Sequence, residues 1–240
     1  MAESTIKYDP WNLIRIIPAK GGIIMLNIFL SADGNELSTL GSIAIAVIIF
    51  ALLIIVSTIG DKKKGMNAKQ LAFCAVLIAL AFVASNLKLF RLPMGGSITL
   101  FSMFFITLSG YMYGPSVGLI VGIAYGLLNM LLDPYIISLP QALVDYVFAY
   151  GALGVSGFFS NKKNGLIMGY CAAVIGRFVF AVLSGIIFFK TYTPEGMSPL
   201  AYSVAYNGSY LLAEALLTII VLMIPAVRNG IARICIIAKE

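Results

Sequence analysis

Between Gly41 and Ile224 the chain alternates long apolar runs with short polar breaks. About 20 apolar residues suffice to cross a bilayer as helix, since each adds about 1.5 Å against a hydrocarbon core of roughly 30 Å. The cleanest run, GSIAIAVIIFALLIIVSTI from Gly41 to Ile59, is uncharged and stops at Asp61-Lys62-Lys63-Lys64. Inside lipid every backbone N–H and C=O must find its partner within the protein, which leaves helices or a closed barrel. These runs lack the apolar–polar alternation of barrel strands. With hydrophobic residues at 60% and charged residues at 11%, the rest of the chain has the same character. The expected fold is an all-α membrane protein.

The breaks set the boundaries. Residues Met1 to Leu40 contain IIMLNIFL, too short to span, and an interfacial helix is expected there. No basic start leads to an A-x-A cleavage site, so this stretch does not read as a removable signal. After Gly41–Ile59, six more spans are expected: Ala68 to Leu87, Ile98 to Tyr113, Val117 to Leu132, Pro134 to Phe159, Leu166 to Phe189 and Leu200 to Ile224. The chain thus divides into an extension, residues 1–66, carrying one extra transmembrane helix, and a six-helix membrane domain, 67–240. By alternation, Lys62–Lys64, Lys162-Lys163 and the tail with Arg228, Arg233 and Lys239 share one side. The positive-inside rule makes that side, with the C-terminus, cytoplasmic. The net charge of +6 comes from such clusters, not from a basic stripe interleaved with aromatics, so nucleic acid is not an expected partner.

The chain has no histidine, which removes the usual general base and the commonest metal ligand. Cys74, Cys171 and Cys235 lack CxxC spacing, and there is no GxxxxGK[ST] phosphate loop. An enzyme, a metal site and an intrinsic ATPase are therefore not expected, and no cofactor is implied. What stands out instead is Asp145 beside Tyr146 in an apolar helix, because a carboxylate at that depth is costly without a partner or ligand. Counting rise per residue puts Tyr135, Phe188, Phe189, Tyr202, Tyr206 and Asn207 at the same level, the outer third of the bilayer. Together they supply a carboxylate, an amide and an aromatic cage, a set suited to a flat, partly cationic small molecule.

Each residue also has a plainer reading. Tyr113, Tyr135 and Tyr202 fit an interfacial aromatic belt, Asn207 fits a hydrogen bond between helices, and Asp145 fits an ion pair with a neighbouring helix. Arg177 and Glu214 fall near the midplane of sequential antiparallel helices and are expected to pair with each other. Gly118, Gly122 and Gly126 recur every four residues and predict a close helix-packing face. Ala68, Ala72, Ala75 and Ala79 give AxxxA spacing twice, a small-residue surface for close contact within the bundle or with a partner.

Four blocks, MGGSITLFSM, PYIISLPQALVDYVFAYGALGVSGFF, SGIIFF and YSVAYNGSYLLAE, resemble the thiamine-specific substrate-binding subunits (S components) of energy-coupling factor (ECF) transporters. The similarity runs from about Asn67 to Arg228. It implies a six-helix bundle that binds thiamine tightly and docks on a shared membrane subunit carrying two ATPases. By the resemblance, Asp145 faces the thiazolium cation, Tyr146 and Tyr135 are the neighbouring aromatics, Tyr202 and Asn207 are the last helix's contribution, and Ala75 and Ala79 dock on the partner. The family's binding-site histidine falls at Ala181 and its tryptophan at Phe189. Those two exchanges keep open a thiamine precursor or another small heteroaromatic vitamin as ligand. A membrane scaffold without a small-molecule ligand is the remaining alternative, and saturable binding separates it from the others.

Overall fold

In a computed structural model of the chain the described residues are Met66–Glu240. The expected interfacial helix, the extra span Gly41–Ile59 and the 66/67 domain boundary lie outside them or at their edge. Helix α1, Ala68–Asn86, starts at a reciprocal cap. The Asn67 side chain accepts from the Gln70 N–H at 2.8 Å, and the Gln70 side chain accepts from the Asn67 N–H at 3.2 Å. One face of α1 buries Cys74, Leu77, Ala81 and Ala84. The opposite face exposes Leu71, Val76 and Val83, as a helix bordering lipid should.

A small antiparallel hairpin follows, β1 (Lys88–Arg91) with β2 (Ser97–Thr99), closed by the Leu92 N–H donating to the Gly96 carbonyl at 2.7 Å. The sequence predicts a loop here and a helix from Ile98. The helix, α2, begins later, at Ser102, after Phe101 turns the chain through the left-handed region at φ 62°. The reason is Glu214. Its carboxylate accepts from the Thr99 hydroxyl at 2.6 Å, the Ser102 hydroxyl at 2.9 Å and the Met103 N–H at 3.1 Å, which holds this corner extended.

At 12 residues, α2 (Ser102–Tyr113) is too short to cross a bilayer, yet it packs against helices on several sides and is mostly buried. It is the axis of the bundle. Gly114, at φ 94°, turns the chain sharply into α3, Pro115–Leu132. Ser138 then caps α4, a continuous helical segment over Leu139–Phe159, where the sequence had placed the start at Pro134. It is not uniform: Leu143–Phe148 is a π-helical turn and Ala152–Phe159 is 3₁₀. Helices α5 (Gly165–Phe188) and α6 (Pro199–Leu222) complete the set. Among the described residues, α1, α3, α4, α5 and α6 are long and apolar enough to span a membrane. The basic tail, to which the sequence reading assigned no element, forms a seventh helix, α7 (Pro225–Lys239), with Ile231, Cys235 and Ala238 buried against the bundle.

The glycine face of α3 packs against α4 and explains how the two lie so close. A Cβ on Gly118 would stand 2.6 Å from Gly110 Cα and 2.8 Å from Gly154 Cα, and one on Gly126 would overlap the Tyr146 carbonyl. No side chain larger than hydrogen fits, and the backbones meet directly. Ser156 ties α4 to α2 as well, donating to the Thr107 carbonyl at 2.7 Å.

Candidate ligand site

At the hairpin end of the bundle α1, α3, α4, α5 and α6 diverge around a cavity of about 380 Å³, roofed by the hairpin and the α3–α4 turn. Asp145, Tyr146, Tyr135, Tyr202, Tyr206, Asn207 and Phe189, the seven residues singled out from sequence as ligand contacts, all line it. A single level of the bundle brings them together because α4 and α6 enter from this end while α5 ends there.

Asp145 sits in the π-helical turn of α4. Such turns widen the helix by one residue and are frequent at functional sites. Its carboxylate accepts from the Gln141 amide at 2.5 Å, one turn earlier. The same Gln141 amide donates to the Tyr135 carbonyl at 3.1 Å, and its oxygen accepts from the Ile137 N–H at 3.0 Å. Gln141 thus ties the carboxylate to the roof. The sequence reading missed it, although its i,i+4 spacing to Asp145 was visible.

The aromatic residues divide by function. Tyr135 and Phe189 stack, with centroids 5.9 Å apart and planes 19° from parallel. On the other wall, Tyr202, Tyr206 and Tyr210 form a series with centroids about 6 Å apart. The Tyr146 hydroxyl accepts from the Tyr135 N–H at 2.7 Å and donates to the Asp133 carbonyl at 3.2 Å. It braces the roof. Tyr206 does likewise for the hairpin, accepting from the Gly96 N–H at 3.0 Å and donating to the Pro93 carbonyl. A Lys88–Asp133 salt bridge links the two roof segments.

Asn207 is buried in a network of its own. Its amide nitrogen donates to the Ser203 carbonyl at 2.9 Å and the Ala181 carbonyl at 3.3 Å, while its oxygen accepts from the Tyr210 hydroxyl at 2.8 Å. That oxygen has a second lone pair to offer. Deeper in, the expected Arg177–Glu214 ion pair is not formed. Glu214 is engaged by the three donors of the β2–α2 corner, and the Arg177 guanidinium lies 4.1 Å from the centroid of the Tyr150 ring. Both line the cavity floor. Depth along a helix fixes height but not azimuth, and nearer partners won. The lining holds three carboxylates, Asp133, Asp145 and Glu214, against two cations, Lys88 and Arg177. By formal count the lining carries one acidic residue in excess, which suits a monocation.

Residues 71–232 match the family model for thiamine transporter protein (Thia_YuaJ). The chain belongs to the thiamine transporter family. Consistent with membership, it is 33% identical over 176 residues to the thiamine transporter ThiT of Bacillus subtilis (strain 168), covering 68% of this chain and 91% of that protein. The structure of ThiT from Listeria monocytogenes superposes with a TM-score of 0.54 at 23% identity, covering 71% of this chain and 93% of that one. The second likeness bears on fold and confirms the all-helical membrane architecture. This thiamine transporter family member is accordingly a multi-pass membrane protein of a transporter family, not of an enzyme family. Within it, Ala75 and Ala79 are exposed on the face of α1 turned away from the core.

Proposed function

We propose that the chain is the high-affinity thiamine-binding subunit of an ATP-driven ECF-type importer. The observation that carries this is the position of Asp145 in a cavity between two aromatic walls, in a member of the thiamine transporter family. Thiamine joins a permanently charged thiazolium to a flat aminopyrimidine. A volume of about 380 Å³ lies in the range of roughly 300–1,000 Å³ usual for small-molecule sites. In this reading Asp145 is the counter-ion of the thiazolium, and the Tyr135–Phe189 and Tyr202–Tyr206 walls supply stacking and cation–π attraction. Asn207 offers its oxygen to the aminopyrimidine edge. Tyr146 contributes less as a ring than as a brace of the roof.

The test is isothermal titration of thiamine into the purified full chain. Asp145→Asn keeps the side-chain volume and the Gln141 contact but removes the charge. Losing one partner of a buried charge pair costs about 2–5 kcal/mol, an increase in Kd of roughly 30-fold to several thousand-fold. Unchanged affinity would remove Asp145 from this role. Ala181, which lines the cavity where the resemblance places the family's histidine, favours a second reading in which the ligand is a thiamine precursor or another small heteroaromatic vitamin. Mass spectrometry of ligand retained through purification separates the two.

The cavity opens outside the cell and the C-terminus lies in the cytoplasm. The exposed Ala75 and Ala79 dock on an ECF transmembrane subunit bearing two ATPases, so Ala75→Leu with Ala79→Leu abolishes copurification with those subunits while thiamine binding persists. Residues 1–66 form an extension distinct from the 67–240 binding domain, and deleting them leaves affinity within about twofold.

A further inference from the structure

At the end of the bundle opposite the ligand cavity, α7 leaves a second cavity of about 340 Å³ between itself, the end of α2 and the start of α5. Three cations line it, Lys162 from the α4–α5 turn and Arg228 and Lys239 from α7, and no carboxylate does. Glu240 follows Lys239 but is not part of the lining. Among the described residues none of these three cations forms a salt bridge. Two of them instead lie over aromatic rings, Lys162 Nζ 4.9 Å from the Phe159 centroid and Lys239 Nζ 6.0 Å from that of Tyr111. The first turn of α5, which forms one wall, carries no acidic residue to offset them.

Helix α7 is held in place. Ile231, Cys235 and Ala238 are buried, and the Tyr113 hydroxyl donates to the Ala238 carbonyl at 3.3 Å. Outside that buried face, Ile234 and Ile237 are exposed. A basic helix with an exposed apolar flank, directly after a spanning helix, lies in the membrane interface. The mouth of this cavity therefore stands at headgroup level, where phosphodiesters are the abundant anions. Arg228 and Lys239 are eleven positions apart, about 16 Å along the helix axis. A lone phosphate reaches one of them; an extended or two-phosphate headgroup reaches both.

We propose that this cavity is a binding site for the headgroup of an anionic phospholipid. Basic pockets between membrane helices bind such headgroups by charge and by donors to phosphate oxygen. The site is independent of the thiamine cavity and stands whether or not thiamine is the transported ligand.

Native mass spectrometry of the purified full chain, titrated with phosphatidylglycerol, cardiolipin or phosphatidylcholine, tests it. Cardiolipin is expected to bind most tightly and phosphatidylcholine least. Each of Lys162→Gln, Arg228→Gln and Lys239→Gln should weaken anionic-lipid binding about fivefold, and the triple variant on the order of 100-fold. Lys163→Gln and Arg233→Gln, cations of the same segments outside the lining, should change it less than twofold. Circular dichroism and the melting temperature verify that each variant is folded. Equal losses in the control variants, or equal binding of phosphatidylcholine, would overturn the site in favour of diffuse surface charge. Displacement of the lipid by millimolar inorganic phosphate would assign a free phosphate and overturn the lipid. Unchanged lipid binding with lost copurification of the ATPase-bearing subunits would assign the face to a protein and overturn it equally.

Discussion

Replacing Gly126 by alanine adds one methyl group to a helix that otherwise favours alanine. In the fold that methyl would stand 2.8 Å from the Tyr146 carbonyl carbon and 3.1 Å from Tyr150 Cβ, and nearer still to the Tyr146 oxygen. Ordinary contact begins at 3.4 Å, so α3 and α4 must separate by well over the roughly 0.6 Å that the carbonyl carbon alone requires, against backbone that cannot rotate away. Overpacking of this kind costs about 1–3 kcal/mol, and a rigid backbone neighbour places it at the upper end. The alanine returns at most about 1 kcal/mol of helix propensity. The net loss is about 2 kcal/mol, or roughly 4–8 °C in melting temperature for a domain of this size. Gly230, in exposed α7 with nothing within 4 Å of its Cβ, is the matched control, expected to rise by up to about 4 °C on the same substitution. Thermal unfolding in one detergent, with thiamine titration alongside, measures both. Because Tyr146 and Asp145 move with α4, Gly126→Ala should also weaken thiamine, whereas Gly230→Ala should not. A Gly126→Ala protein that melts at or above the parent temperature would refute the direct backbone contact.

Tyr206→Phe removes the hydroxyl that joins α6 to both Pro93 and Gly96 of the hairpin, while leaving the ring. Faster thiamine dissociation with little change in melting temperature is expected by stopped-flow, and an unchanged off-rate would count against the brace. Glu214→Ala strands three buried donors at the β2–α2 corner and should cost about 3 kcal/mol or more, seen as a fall in melting temperature; Glu214→Gln, which still accepts, should cost less. Burial and the neighbouring Tyr192 hydroxyl push the Tyr135 hydroxyl above its ordinary range. A raised folded-state value means its stabilising contribution is complete below the ordinary tyrosine range and is lost as pH rises past it. Melting temperature should therefore not respond to Tyr135 from pH 7 to 9, and wild type should lose more than Tyr135→Phe above pH 10.

The spans were legible because the bilayer imposes a length and a composition on any helix that crosses it. The level of the ligand cavity was legible for the same reason: rise per residue converts sequence position into depth, and Asp145, Tyr202 and Phe189 share one. What depth does not encode is direction around the helix. That is why Arg177 and Glu214 were matched with each other, when Tyr150 and the Thr99–Ser102 corner lie closer to hand. The same blindness hid the hydroxyl partners of Tyr146 and Tyr206, whose targets are backbone atoms of other segments. Helix α7 is a different kind of miss, since Ile231, Cys235 and Ala238 recur at helical spacing within the basic tail and the signal was available. The late start of α2 was not, because Ile98 to Ser102 is apolar enough to be helix and is held extended by a carboxylate over a hundred residues away.

The π-helical turn at Leu143–Phe148 separates two demands on α4. Up to and within it, the phase of the helix is set by the need to turn Gln141 and Asp145 toward the cavity; after it, by the need to lay Gly151, Gly154 and Gly157 against α3. A regular α-helix advances about 100° per residue, so it has one phase to give. The wider turn absorbs one residue and lets each half keep its own. Shortening this turn by a single residue would rotate the whole glycine seam away from α3 at once, while leaving the composition of the span almost untouched.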